Sequence, residues 1–156
     1  KLFGQKLVAV THPGYWSTAV DVHPYERRTR SSAFLKPRPG GRYVAGGIQG
    51  GPVARFLPAA SEIRGRIQQD YLHGITAVWH DESHWNHYVA HHADAVTIVG
   101  PEFCWPESWP VPDGVSASRL LALDKNHHHL RGTKPSLREA SRRSLGRIRR
   151  TLGVRA

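Results

Sequence analysis

The apolar positions of this chain alternate between short continuous runs and helical spacing. Leu7-Val8-Ala9-Val10-Thr11 predicts a buried strand that ends at the turn His12-Pro13-Gly14. Residues 12–41 hold Pro24, Pro37, Pro39, Gly40 and Gly41 and predict loops. Arg42-Tyr43-Val44-Ala45 predicts a strand running into the glycine cluster Gly46-Gly47-Ile48-Gln49-Gly50-Gly51. Residues 52–72 follow helical spacing, with Ile63, Ile67 and Tyr71 on one stripe. Pro58 is expected to start, kink or split that helix, and Gly74 to stop it. The run Ile75-Thr76-Ala77-Val78-Trp79 predicts a short strand leading into His80-Asp81-Glu82-Ser83-His84. A second helix is expected over 83–91, a strand over 95–99, a Pro/Trp-rich loop over 106–114 and a last strand over 120–123. Strands alternating with helices point to the α/β class.

Length and composition narrow this picture. A chain of 156 residues is about one domain and can bury a sizeable core. Its single cysteine, Cys104, excludes an internal disulfide framework. No run of about 18 apolar residues is present, and no signal-peptide pattern opens the sequence. Lys1 begins a sequence without any Met, so further residues are expected upstream of it.

Charge is concentrated at one end. Between Gly132 and Ala156 there are eight Arg or Lys and one acid, Glu139, a net of +7 out of the chain's +10. The high isoelectric point therefore belongs to the tail, and the body needs no anionic partner to explain it. Ser136-Leu137-Arg138-Glu139 fits a capping box and predicts a basic helix to about residue 150. Leu137, Leu145, Ile148 and Leu152 fall partly on one face of it, a pattern that suits an anionic membrane surface or a solvated tail. No nucleic-acid-binding module is recognisable.

Candidate chemistry gathers around Trp79-His80-Asp81-Glu82-Ser83-His84. His80, His84, His87 and His91 would form one helical stripe, as in a zinc site. A zinc-protease helix needs Glu directly after its first His so that the carboxylate reaches the metal-bound water. Here Asp81 takes that place and Glu82 lies about 100° further round, so the histidines read instead as a polar helix face. The adjacent carboxylates point in different directions and can serve a sugar hydroxyl and a reacting carbon. Trp79 offers a flat face for a sugar ring. The competing reading of the acids is a helix N-cap. Ala45, Gly46 and Gly47 either leave room for a bulky ligand group or make a tight bend. Lys125 and Arg131 are either a clamp on a diphosphate or two solvated charges.

These residues carry a resemblance. His12-Pro13-Gly14-Tyr15, Tyr25-Glu26-Arg27-Arg28, Gly46-Gly47 with Gly50-Gly51, Ala77 to His84 with Asn86 and Tyr88, Pro101-Glu102-Phe103 and Lys125-Asn126-His127 are similar to the family 6 glycosyltransferases. The similarity runs in order from about Leu7 to Arg131. It implies a GT-A fold and retaining transfer of Gal or GalNAc from a UDP-sugar to a galactoside, in α1,3 linkage. On that likeness Glu82 is the catalytic carboxylate, as nucleophile or as electrostatic stabiliser, and also touches the acceptor. Asp81, Ala45, Gly46 and Gly47 would meet the donor sugar, His12 and Trp79 the acceptor, and Lys125, His127 and Arg131 the diphosphate. Space at Gly47 favours UDP-GalNAc.

The likeness also sets what is missing. Ile48-Gln49 stand where animal members have two aromatics, and Pro106 follows Trp105 where the blood-group enzymes have an acceptor-touching Asp. No Asp-x-Asp occurs in the chain, which therefore reads as the C-terminal part of the domain over residues 1–131, with a basic tail over 132–156. No cofactor is expected within it. An upstream Asp-x-Asp would bring Mn²⁺; an Asn-x-Asn would work without metal. Alone, the chain is expected to be inactive, and the alternative reading is a non-catalytic carbohydrate-binding remnant. The expected setting is the cytoplasm, with membrane contact by the tail, for a bacterial source, or the Golgi lumen for an animal-type one.

Overall fold

The computed structural model describes residues 4–115 and 118–124. The chain divides into two units, Lys1–Ala122 and Leu123–Ala156, and the elements named next belong to the first. The expected basic helix after Pro135 lies outside the described residues.

Three strands form a mixed sheet in the order β2-β1-β3, with β1 at Leu7–Thr11, β2 at Val44–Gly50 and β3 at Val96–Val99. Every residue of β1 is buried, as a central strand of continuous apolar sequence should be. Strand β2 runs antiparallel to β1, and β3 parallel to it. A second, two-stranded parallel sheet joins β4 (Trp105–Pro106) to β5 (Leu121–Ala122). The mixed α/β content agrees with the sequence pattern.

Two helices connect β2 to β3: α1 at Val53–Leu72 and α2 at His80–His91. Leu7, Ala9, Val44 and Val96 from the sheet pack with Ala59 of α1 and with Trp85, Tyr88 and Val89 of α2. A smaller cluster of Tyr25, Leu35 and Tyr43, with Tyr15 and Val20 against it, holds the loop-rich segment before β2.

Four expectations are corrected. First, the strand starts at Val44, two residues later than expected, and runs on through the glycine cluster to Gly50. Val10 opposes Ala45 while its neighbour Ala9 opposes Gln49, so Gly46, Gly47 and Ile48 are the extra residues of a large bulge. Second, residues 75–79 form no strand: 75–77 are irregular and 78–79 are a turn, and α2 begins at His80. Third, Pro58 does not split α1, which continues to Leu72. It lies near the N-terminus, and the carbonyl it leaves unpaired, on exposed Ala54, is free to meet water. Fourth, the buried line of α1 is Phe56, Ala59, Ile63 and Asp70, while Ile67 and Tyr71 face outward. Gly74 does end the helix, with φ of +67° in the left-handed region.

Candidate sugar-transfer site

Helix α2 carries both acids in its first turn, behind Trp79 as N-cap residue. No side chain caps the helix from Trp79; the Trp79 N–H instead donates to Ser83 Oγ at 3.0 Å. The helix N-cap reading of the acids is thus half right. Asp81 and Glu82 sit in the first turn, at the positive end of the helix dipole, but neither is the cap. His80, between them and Trp79, has φ of +48°, a conformation uncommon outside glycine.

The Glu82 carboxylate is held at both oxygens. The Tyr43 hydroxyl donates to Oε1 at 2.7 Å, and the Gly46 N–H donates to Oε2 at 2.7 Å. Gly46 is required there for a second reason. A Cβ at that position would lie 2.9 Å from Glu82 Cβ and 3.2 Å from its Cα. The bulge of β2 therefore brings a backbone donor against the helix start, and only glycine permits the approach. Asn86, one turn further along α2, locks the same contact from below. Its Oδ1 accepts from Val44 N–H at 2.9 Å, and its Nδ2 donates to Val44 O at 2.8 Å and Glu82 O at 2.9 Å.

Tyr43 is 1% exposed, and burial, then its hydrogen bond to Glu82 and the Glu82 charge, pushes its hydroxyl well above the ordinary value. It stays protonated and remains a donor. His12 lies across its ring, with centroids 5.7 Å apart. Burial lowers the His12 imidazole below its ordinary value, against an opposing pull from Glu82. The Gly14 N–H donates to His12 Nδ1 at 3.0 Å, so the neutral ring carries its proton on Nε2. That nitrogen is a donor suited to a hydroxyl oxygen.

Gly46, Gly47, Trp79, Asp81 and Glu82 line one open cavity of about 290 Å³. Trp79 is half exposed, and Asp81 is exposed. Gly47 has open space around it: a Cβ there would meet nothing within 4 Å. Ala45 does not join them. It is buried in the ladder opposite Val10 and does not line the cavity. Lys125, His127 and Arg131 lie outside the described residues.

The histidine stripe is not a polar face. His84 and His87 are buried, with His84 Nε2 3.7 Å from Asp70 Oδ2 and His87 stacked on His91 at 4.1 Å. Tyr43 is the site residue that sequence reading missed. As a strand residue beside Val44 it reads as core, and only the fold brings its hydroxyl to a carboxylate 39 positions on.

Comparison with known proteins decides what this arrangement belongs to. The family description "Glycosyltransferase family 6" matches residues 2–132. The chain belongs to glycosyltransferase family 6. It is 34% identical to the rat Histo-blood group ABO system transferase 1 over 128 residues, which are 80% of this chain and 36% of the relative. It is 37% identical to the mouse Globoside alpha-1,3-N-acetylgalactosaminyltransferase 1 over 125 residues, again 80% of this chain and 36% of the relative. A bacterial relative, the O-antigen biosynthesis glycosyltransferase WbnI of Escherichia coli, is 28% identical over 103 residues, 66% of this chain and 43% of its own length. The chain thus spans little more than a third of the animal family 6 relatives it matches.

Proposed function

We propose that this chain is the C-terminal part of a GT-A-type domain that transfers GalNAc or Gal from a UDP-sugar to a galactoside, in α1,3 linkage and with retention of anomeric configuration. The observation that carries the reading is the Glu82 carboxylate, fixed by Tyr43 and Gly46 in the wall of an open cavity beside Trp79. A carboxylate held in place suits a developing positive charge on an anomeric carbon, whether it forms a bond to that carbon or stabilises it through space. Its position then needs no reorganisation as the bond to the UDP leaving group breaks.

The remaining roles are assigned from the resemblance, with the cavity supporting those of Asp81, Gly47 and Trp79. Asp81, exposed at the cavity, holds hydroxyls of the donor sugar. The half-exposed Trp79 takes the apolar face of the acceptor galactoside, and neutral His12 donates from Nε2 to one of its hydroxyls. The open space at Gly47 admits an acetamido group, which favours UDP-GalNAc as donor. Ala45, assigned to the donor sugar by the resemblance, is buried opposite Val10 and does not line the cavity. Lys125, His127 and Arg131 would close on the diphosphate. Among the described residues no cluster of three or more His, Cys, Asp or Glu could hold a metal ion. A Mn²⁺ ion would be held by an upstream segment, and none of these roles depends on one. Among the described residues no helix is long and apolar enough to cross a membrane. Approach to a lipid-linked acceptor would fall to the basic tail, on a cytoplasmic membrane face for a bacterial protein; an animal-type protein would work in the Golgi lumen.

The test is donor turnover by the whole protein with UDP-GalNAc and a β-galactoside, compared with Glu82→Gln. Near-complete loss is expected. Unchanged turnover in Glu82→Gln would remove Glu82 from the mechanism.

A further inference from the structure

The segment that carries Trp79 is exposed at Val78 and Trp79 and borders an open cleft. The cleft, of about 500 Å³, is lined by Glu26, Arg28, Thr76, Val78 and His80. The Trp79 ring is itself half exposed, so its direction depends on the backbone that bears it. That backbone is held by polar contacts across the cleft, and they converge on Glu26.

Glu26 is buried at 2% exposure and saturated with donors. Its Oε1 accepts from Arg28 N–H at 2.8 Å and from Arg28 Nε at 2.9 Å. Its Oε2 accepts from Arg28 Nη2 at 2.7 Å and from Val78 N–H at 2.8 Å. Arg28 Nη2 also donates to Thr76 O at 2.5 Å. The Glu26 carbonyl accepts from Leu35 N–H at 3.0 Å, which ties the carboxylate's own backbone to the loop behind it. One ion pair thus reaches 52 residues along the chain to grip both Thr76 and Val78. Beyond Val78 the chain has little freedom left. His80 N–H donates to Ala77 O at 3.0 Å, Trp79 N–H is taken by Ser83 Oγ, and α2 begins. Bonds to charged groups are the stronger class, and here both partners are also geometrically paired.

We propose that Glu26, braced by Arg28, is the positioning residue of the sugar-binding turn: it fixes residues 76–78 and thereby aims Trp79 at the acceptor. Neither side chain lines the cavity that holds Glu82, so the effect is exerted through the turn. The kinetic consequence rests on the proposed transfer function; the structural one does not.

The experiment uses the whole protein with UDP-GalNAc and methyl β-galactoside. Glu26→Gln keeps the size and removes the charge; Arg28→Ala removes the grip on Thr76 and leaves Glu26 to hold Val78. Both variants are expected to raise acceptor KM, by about three- to tenfold for Glu26→Gln and less for Arg28→Ala. A variant that merely unfolds in part lowers kcat through the active fraction and leaves KM alone. In a Trp79→Ala background the KM effect of Glu26→Gln is expected to vanish, because the ring it aims is gone. An unchanged acceptor KM, or the same increase without Trp79, overturns the proposal. If the wild-type protein transfers no sugar, the functional reading fails and hydrogen exchange decides the positioning claim by itself. Val78 and Trp79 amides are then expected to exchange faster in Glu26→Gln while β1 amides do not, and unchanged exchange at Val78 overturns it.

Discussion

The buried Tyr43 hydroxyl donates to Glu82 Oε1 at 2.7 Å, so the residue just before β2 fixes the direction of the carboxylate at the mouth of the site. Tyr43→Phe removes that donor and little else, because the ring keeps its contacts with His12, Tyr15 and Tyr25. Hydrogen bonds to charged groups contribute about 1.5–3 kcal/mol. Transfer is therefore expected to fall about ten- to a hundredfold, in kcat more than in KM. Steady-state kinetics of the whole protein check this, and a kcat equal to wild type would mean that Gly46 alone suffices.

The two glycines of the bulge separate packing from specificity. Gly46→Ala would drive a Cβ to 2.9 Å from Glu82 Cβ, with backbone close behind, so strand or helix must shift. Overpacking of this kind costs about 1–3 kcal/mol and here also displaces a donor from the carboxylate. Lower thermal stability and loss of transfer are expected together. Gly47→Ala meets nothing within 4 Å, so stability should hold. Donor preference is instead expected to move from UDP-GalNAc towards UDP-Gal as the added methyl fills the open space. Competition between the two donors measures this, and an unmoved ratio would detach Gly47 from donor choice.

Much of this was legible from residue patterns, and the parts that were not share a cause. The continuous apolar run of β1 announces a buried strand because both its faces are covered. The specific order of residues 79–84 resembles one family closely enough to assign it. Periodicity misled where polar residues take buried places. In α1 the inward line ends on Asp70, which accepts from Ser31 Oγ at 2.5 Å and Ser32 N–H at 2.6 Å, so the apolar Ile67 and Tyr71 turn outward. In α2 the same happens with His84, which the stripe of histidines presented as surface. Tyr43 was invisible for the complementary reason. Nothing local marks a buried tyrosine whose partner lies on a helix far along the chain.

Asn86 joins α2 to β2 through two hydrogen bonds to Val44, and a third, to Glu82 O, holds its side chain against its own helix. Asn86→Leu keeps the volume and leaves the Val44 N–H and C=O without these partners in a buried setting. Each such group costs about 1–3 kcal/mol. Stability is expected to fall by about 2–4 kcal/mol, read from the urea midpoint at constant slope. A loss under about 0.5 kcal/mol would show that water replaces the side chain.

Acid is expected to unfold this protein through buried histidine before carboxylates matter. Burial, then the neighbouring His91, pushes His87 down to about 4. The unfolded chain accepts a proton near the ordinary histidine value of about 6.5, while folded His87 refuses it until about pH 4. Between those values the unfolded state holds more protons, so stability falls as pH drops through the window and levels off below it. His84, lowered by burial against the pull of Asp70, acts in the same direction. Glu26 behaves oppositely in origin and lower in pH. Its hydrogen bonds with Arg28 hold it at about 2, so its contribution is intact above about pH 4.5 and is lost only as pH falls from there towards 2. The two windows barely overlap. His87→Phe preserves an aromatic ring against His91 and removes the titration, so its stability should decline less steeply between about pH 6.5 and 4.5. Urea midpoints measured at half-unit steps across that range decide the matter, and parallel slopes for the two proteins would show that His87 is protonated in the fold.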